Sequence, residues 1–173
     1  MIRLLGKAAR QLTKKEYAGQ LIEALQLLSL AYRSAGLLWA SRATCIFAAA
    51  SIAIEGEADS QIDVAIIPTI GLMAWTTLQL RHLPDFLEAI RLLNGCQKAL
   101  PLAEESKERL KDRLKTIDMA LGSYFLNFQP EELRQVEGLP DILEALGLFI
   151  ARTALLYALG LSLIHISEPT RPY

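Results

Sequence analysis

The chain has 173 residues, with 18 basic and 19 acidic side chains and a formal net charge of −1. That balance excludes a general electrostatic pull toward nucleic acid or an anionic membrane, and the length suits one domain or part of a repeat array. Hydrophobic residues make up 52% of the chain, which brings a membrane protein into consideration.

The first twelve residues are basic and amphipathic and lack the long apolar core of a signal peptide. Thr13-Lys-Lys-Glu16 has the spacing of a capping box, Thr at the N-cap and Glu three residues on. Tyr17, Leu21, Leu25, Leu28 and Tyr32 then keep the three-to-four spacing of one helix face. Gly36 suits a helix stop, and a second apolar helix is expected from about Leu37 to Ile54. The short connection predicts an antiparallel hairpin. Residues 56–60 form the next loop.

A third helix is expected from about Pro68 to His82, with Pro68 tolerated in the first turn. The charge-free run around it, residues 64–80, has 17 residues, the short end of what spans a bilayer. Pro68, Thr69, Thr76, Thr77 and Gln79 dilute it, and Arg42 and Arg152 interrupt the other apolar stretches. Burial of helices against helices accounts for the same hydrophobicity, so membrane insertion is disfavoured. Leu83-Pro84 opens a fourth helix expected to end near Asn94-Gly95, and Pro101 marks a further boundary. Residues 104–115 mix both charge signs over an apolar stripe of Leu110, Leu114, Ile117 and Leu121, an amphipathic helix with one solvated face. The interleaved acids argue against a nucleic-acid groove there. Gln129-Pro130-Glu131-Glu132 begins a short helix ending at Gly138. Pro140 opens the last, running toward Gly160 with a bend at Gly147.

One octapeptide recurs. Leu83-Pro-Asp-Phe-Leu-Glu-Ala-Ile90 returns 56 residues later as Leu139-Pro-Asp-Ile-Leu-Glu-Ala-Leu146. Its physical reading is a repeated helix start: Pro fixes the first turn, the acids lie toward the positive end of the helix dipole, and the apolar residues point inward. Asp85/Glu88 and Asp141/Glu144 could in principle be acid–base or metal carboxylates, but no histidine or further carboxylate joins them.

Parts of the chain resemble tetratricopeptide-type helical hairpins. Leu28-Ser-Leu-Ala-Tyr32-Arg-Ser-Ala-Gly36 is similar to the first helix and turn of such a repeat. Ser41 and Ala48 fall where that family places small packing residues, and Ala89 is their counterpart in a weaker second match spanning Leu80 to Ile90. The family period is roughly 34 residues, whereas here landmarks recur at 48 and 56 residues. The closing proline after the first hairpin is missing. The resemblance covers about a third of the chain and implies an all-α fold, an α-solenoid-like array of antiparallel hairpins that binds a protein or peptide.

Residues 161–171, Leu161-Ser-Leu-Ile-His-Ile-Ser-Glu-Pro-Thr-Arg171, resemble a transposase-type sequencing adapter read in one frame. On that reading residues 1–160 are a truncated helical-repeat region and residues 161–173 a non-native tail. Native sequence would then run on past Gly160, and the next hairpin of the same chain would dock against residues 148–160. His165 drops out of consideration. His82, beside Arg81 at a helix end, is expected to meet terminal carbonyls, and Trp39 and Trp75 to pack in the core. Cys45 and Cys96 read as buried free thiols, which with the missing signal peptide points to the cytoplasm.

Phosphate-loop, Gly-x-Ser-x-Gly, Cys-x-x-Cys and His-Glu-x-x-His signatures are lacking. No residue is assigned a catalytic, cofactor-binding or metal-binding role, and no cofactor is expected. The expected function is a protein-binding scaffold within a larger protein. The alternatives are the helical accessory region of an enzyme (an NTPase or nuclease) and an integral membrane helical protein.

Overall fold

A computed structural model describes residues 1–12, 15–55, 65–100, 102, 104–127 and 137–160. Among the described residues there are eight α-helices and no strand: α1 (Ile2–Gln11), α2 (Ala18–Ser34), α3 (Leu38–Glu55), α4 (Ile66–Gln79), α5 (Leu83–Ala99), α6 (Glu104–Leu126), α7 (Leu139–Ala145) and α8 (Phe149–Ala158). A single 3-10 turn (Lys15–Tyr17) precedes α2. The expected Thr13 cap, the short helix from Gln129 and the residue 161–173 tail fall outside the described residues. The chain divides into two compact units, Met1–Leu110 and Lys111–Tyr173.

The first unit is built from neighbours in sequence: α1 packs on α2, α2 on α3, α3 on α4 and α4 on α5, with α2 also touching α4. Three connections, α2 to α3, α4 to α5 and (in the second unit) α7 to α8, use one kind of turn. The N–H of Gly36 donates to the Arg33 carbonyl at 3.0 Å and that of Leu37 to the Tyr32 carbonyl at 2.9 Å. Arg81/His82 and Gly147/Leu148 repeat this pair of bonds. The two bonds satisfy carbonyls that a helix end would otherwise leave orphaned, and they require a left-handed residue at the turn. Gly36 (φ 75°) and Gly147 (φ 75°) adopt it freely; Arg81 (φ 57°) does so at a steric cost. The bend expected at Gly147 is thus a complete helix stop, which divides the last predicted helix into two.

α5 does not end at Asn94-Gly95. Phe86, Ala89, Ile90 and Leu93 form a continuous buried face whose packing outweighs the roughly 1 kcal/mol that glycine costs in a helix. The helix stops only at Leu100, extended at φ −90°, ψ 141°, as the residue before a proline prefers. A methyl group on Gly95 would meet nothing within 4 Å. Gly95→Ala is therefore expected to raise stability by about 0.5–1 kcal/mol, and Gly36→Ala to lower it by about 1–2 kcal/mol. Paired urea titrations would check both signs; equal effects would contradict the turn assignment.

The buried face of α2 is rotated from the predicted stripe. Leu25 and Leu28 are buried, but Tyr17 is exposed and Leu21 and Tyr32 are half-buried. Ala18, Ile22, Ala24, Ser29 and Ala31 take their place. A helix touched by three others needs small residues where the axes approach, and its aromatic groups are displaced to the edges.

Small hydroxyls fill the α2–α3–α4 contact. Ser29 Oγ donates to the Ser41 carbonyl at 3.0 Å and lies 2.9 Å from both Ser41 Oγ and Cys45 Sγ. Ser41 Oγ is 3.2 Å from Thr76 Oγ1, and Thr76 donates its own proton to the Leu72 carbonyl. Thr69 and Thr77 likewise donate to carbonyls one turn back. The threonines that dilute residues 64–80 thus hide their polarity in their own helix and are buried there. No described helix is long and apolar enough to cross a membrane.

Candidate functional site

Asp85, Glu88 and Glu144 each pair with an arginine. Asp85, the third residue of α5, forms an ion pair with Arg42 of α3, whose Nε donates to Asp85 Oδ2 at 2.5 Å. His82 Nδ1 lies 3.3 Å from the same carboxylate oxygen, Asp85 Oδ2, without a hydrogen bond to it. The Trp39 ring meets His82 edge-on at 6.2 Å, with the Arg42 guanidinium 5.8 Å from its centre. These four residues clasp the N-terminal ends of α3 and α5 together. Glu88 pairs with Arg91 on the surface at 2.6–2.7 Å; the guanidinium holds the Glu88 carboxyl below its usual range and the carboxylate raises Arg91. Asp141 is exposed, and Glu144 meets Arg152 of α8 at 3.1 Å. The two carboxylate pairs lie in different units. No group of three or more potential metal ligands occurs among the described residues. In α6, Glu104–Lys107 and Glu105–Arg109 are exposed ion pairs along the helix.

Cys45 is buried and Cys96 half-buried. Burial pushes both thiols up, partly offset at Cys45 by the Ser29 hydrogen bond. The thiolate is the reactive form, so both are expected to react slowly at neutral pH, Cys96 first. An aromatic disulfide reagent should modify one thiol per folded chain, and the second only on unfolding. Simultaneous reaction of both would contradict the burial of Cys45.

A remote helix cap organises the second unit. Asp118, in the middle of α6, accepts the Ile150 N–H at 3.0 Å and the Ala151 N–H at 2.8 Å, the second and third amides of α8. Beside it Gly122 lets the helices close: a Cβ there would stand 3.3 Å from Ile150 Cγ2 and 3.5 Å from the Ile150 carbonyl. Asp118 sits between charged and apolar residues in the sequence, and nothing in its local pattern points to this role.

One surface feature is apolar. Trp39 is not in the core: it is 60% exposed. It heads a stripe along α3 that continues through Ala43, Ile46, Phe47 (61% exposed), Ala50, Ala53 and Ile54 (74%), all facing solvent. Ser41, Cys45, Ala48 and Ile52 occupy the opposite, buried face. The one charged side chain along this length, Arg42, lies at the stripe's edge and is engaged by Asp85. The sequence signal was present: α3 is apolar all round, as befits a helix covered on every side. Read without neighbours, that pattern predicts complete burial in the core, and only one face is buried. In the second unit, Phe149, Ile150 and Tyr157 of α8 are also exposed.

The fold is that of an all-α protein of sequentially packed helical hairpins. No protein family, no curated protein and no solved structure matches the chain.

Proposed function

We propose that the chain is a helical-hairpin scaffold that binds an apolar-faced helix of another polypeptide. The observation that carries this reading is the outward face of α3, an uncharged stripe of Trp39, Ile46, Phe47 and Ile54 with alanines between. Contiguous apolar surface of this kind marks interaction sites in water-exposed proteins. Its intervals of four, three, four and three residues, from Trp39 through Ala43, Ile46 and Ala50 to Ala53, are those at which one helix seats another.

The finer arrangement we propose is a tetratricopeptide-like array. Ser41, Ala48 and Ala89, the small residues of the family resemblance, are each buried, and one turn geometry recurs at three hairpins. In such an array the outward face of α8 would seat a further hairpin.

Selection from a displayed library of amphipathic helical peptides against the whole chain tests the binding reading. Peptides with an apolar face are expected to be enriched and to lose at least about tenfold in affinity on Phe47→Glu, a change of about 1.4 kcal/mol. The thermal transition should not move, because Phe47 is exposed. Enrichment of no peptide sensitive to Phe47→Glu would overturn the reading.

A further inference from the structure

The α3 stripe has an internal symmetry. From its midpoint between Ile46 and Phe47, the exposed residues read outward as Ile46, Ala43, Trp39 in one direction and Phe47, Ala50, Ile54 in the other, with Ala53 also exposed and its counterpart Ala40 half-buried. Large, small, large occurs on both sides at equal spacing. We infer that the occupant of this face is a second copy of the chain, its α3 packed antiparallel on the first about a two-fold axis at Ile46/Phe47. The inference rests on the proposed function, since it takes the α3 face to be a binding surface and names what fills it.

Three physical features single out a second copy. A two-fold contact is isologous, so the patch must complement itself when reversed. Reversal sets Trp39 against Ile54 of the second copy, Ala43 against Ala50, and Ile46 against Phe47. The alanine pairs on either side of the axis let the helices approach, and the large pairs fill the centre and both ends. Charge is the second feature. Among residues 39–54 Arg42 is the one charged side chain, and it is held by Asp85; reversal brings it against Ser51, so the two Arg42 side chains do not meet. Size is the third. Trp39 to Ile54 spans about 22 Å of helix, a footprint at the small end for specific interfaces. That size suits a reversible dimer.

Sedimentation equilibrium of the full chain over a wide concentration range should show a monomer–dimer equilibrium. Phe47→Glu puts two carboxylates at the axis and should weaken dimerisation by about 100-fold or more. Ile54→Glu, away from the axis, should weaken it less, and both should keep the parent melting temperature at concentrations where the parent is monomeric. Orientation is read by disulfide trapping in a Cys96→Ser background. Mixed Trp39→Cys and Ile54→Cys chains should cross-link to each other in preference to themselves. A monomer at every concentration, a dimer indifferent to Phe47→Glu, or preferential self-cross-linking of Trp39→Cys chains would each overturn the inference. A monomer that still selects helical peptides sensitive to Phe47→Glu would sink the dimer alone. Loss of both would sink the binding surface as well.

Discussion

Asp118→Ala is expected to destabilise the second unit by about 2–4 kcal/mol, more than an ordinary helix cap is worth. Asp118 is 7% exposed, and its carboxylate accepts two N–H groups at the start of α8. Its removal costs those bonds, the favourable contact with the positive end of the helix dipole, and the penalty for leaving buried donors unpaired. Asp118→Asn keeps an acceptor of the same shape and should cost about half as much. Amide exchange gives the most specific readout. Ile150 and Ala151 should lose protection in Asp118→Ala while α2 and α3 amides keep theirs. Unchanged protection at Ile150 and Ala151 would show that Asp118 does not hold α8.

The recurring octapeptide yields the second large effect, because its two copies share a sequence and not an environment. At the fourth position Phe86 is fully buried and Ile142 is 39% exposed. Phe86→Ala should cost about 3–5 kcal/mol through lost burial and a cavity, and Ile142→Ala under about 1 kcal/mol. The seventh position repeats the contrast in the opposite sense of size. Ala89 is fully buried and Ala145 exposed. Ala89→Leu should cost about 1–3 kcal/mol or more by overpacking, and Ala145→Leu should lie within about 0.5 kcal/mol of the parent. Chemical denaturation of the four variants measures this directly. Equal costs within either pair would mean that the two octapeptides occupy equivalent sites.

The octapeptide also shows how far local sequence reaches. Both copies begin a helix with proline in its first turn, as Leu-Pro-Asp demands. Their inward faces differ because the first copy starts the second helix of its hairpin and the second copy starts the first. In α5 the buried residues are Phe86, Ala89, Ile90 and Leu93; in α7 they are Leu139 and Leu143. The expectation that the same residues point inward in both copies is corrected on that ground. Trp39 and His82 follow the same logic. Their helix positions were legible, but their surroundings come from α3 meeting α5, two helices far apart in sequence.

What the sequence by itself determined is the local grammar: helices across the described residues, helix starts at Pro84 and Pro140, the stop at Gly36 and, through the family resemblance, the small residues Ser41, Ala48 and Ala89 at buried positions. These depend on backbone conformation and side-chain size within a few residues. Only the tertiary structure decided which face of each helix is covered. It set Asp118 under the first turn of α8, placed Asp85 against Arg42, and left the outer face of α3 open to solvent. α3 is apolar on every side, and its sequence cannot choose between faces; that choice falls to α2 and α4, which cover one face of α3 and leave the other free.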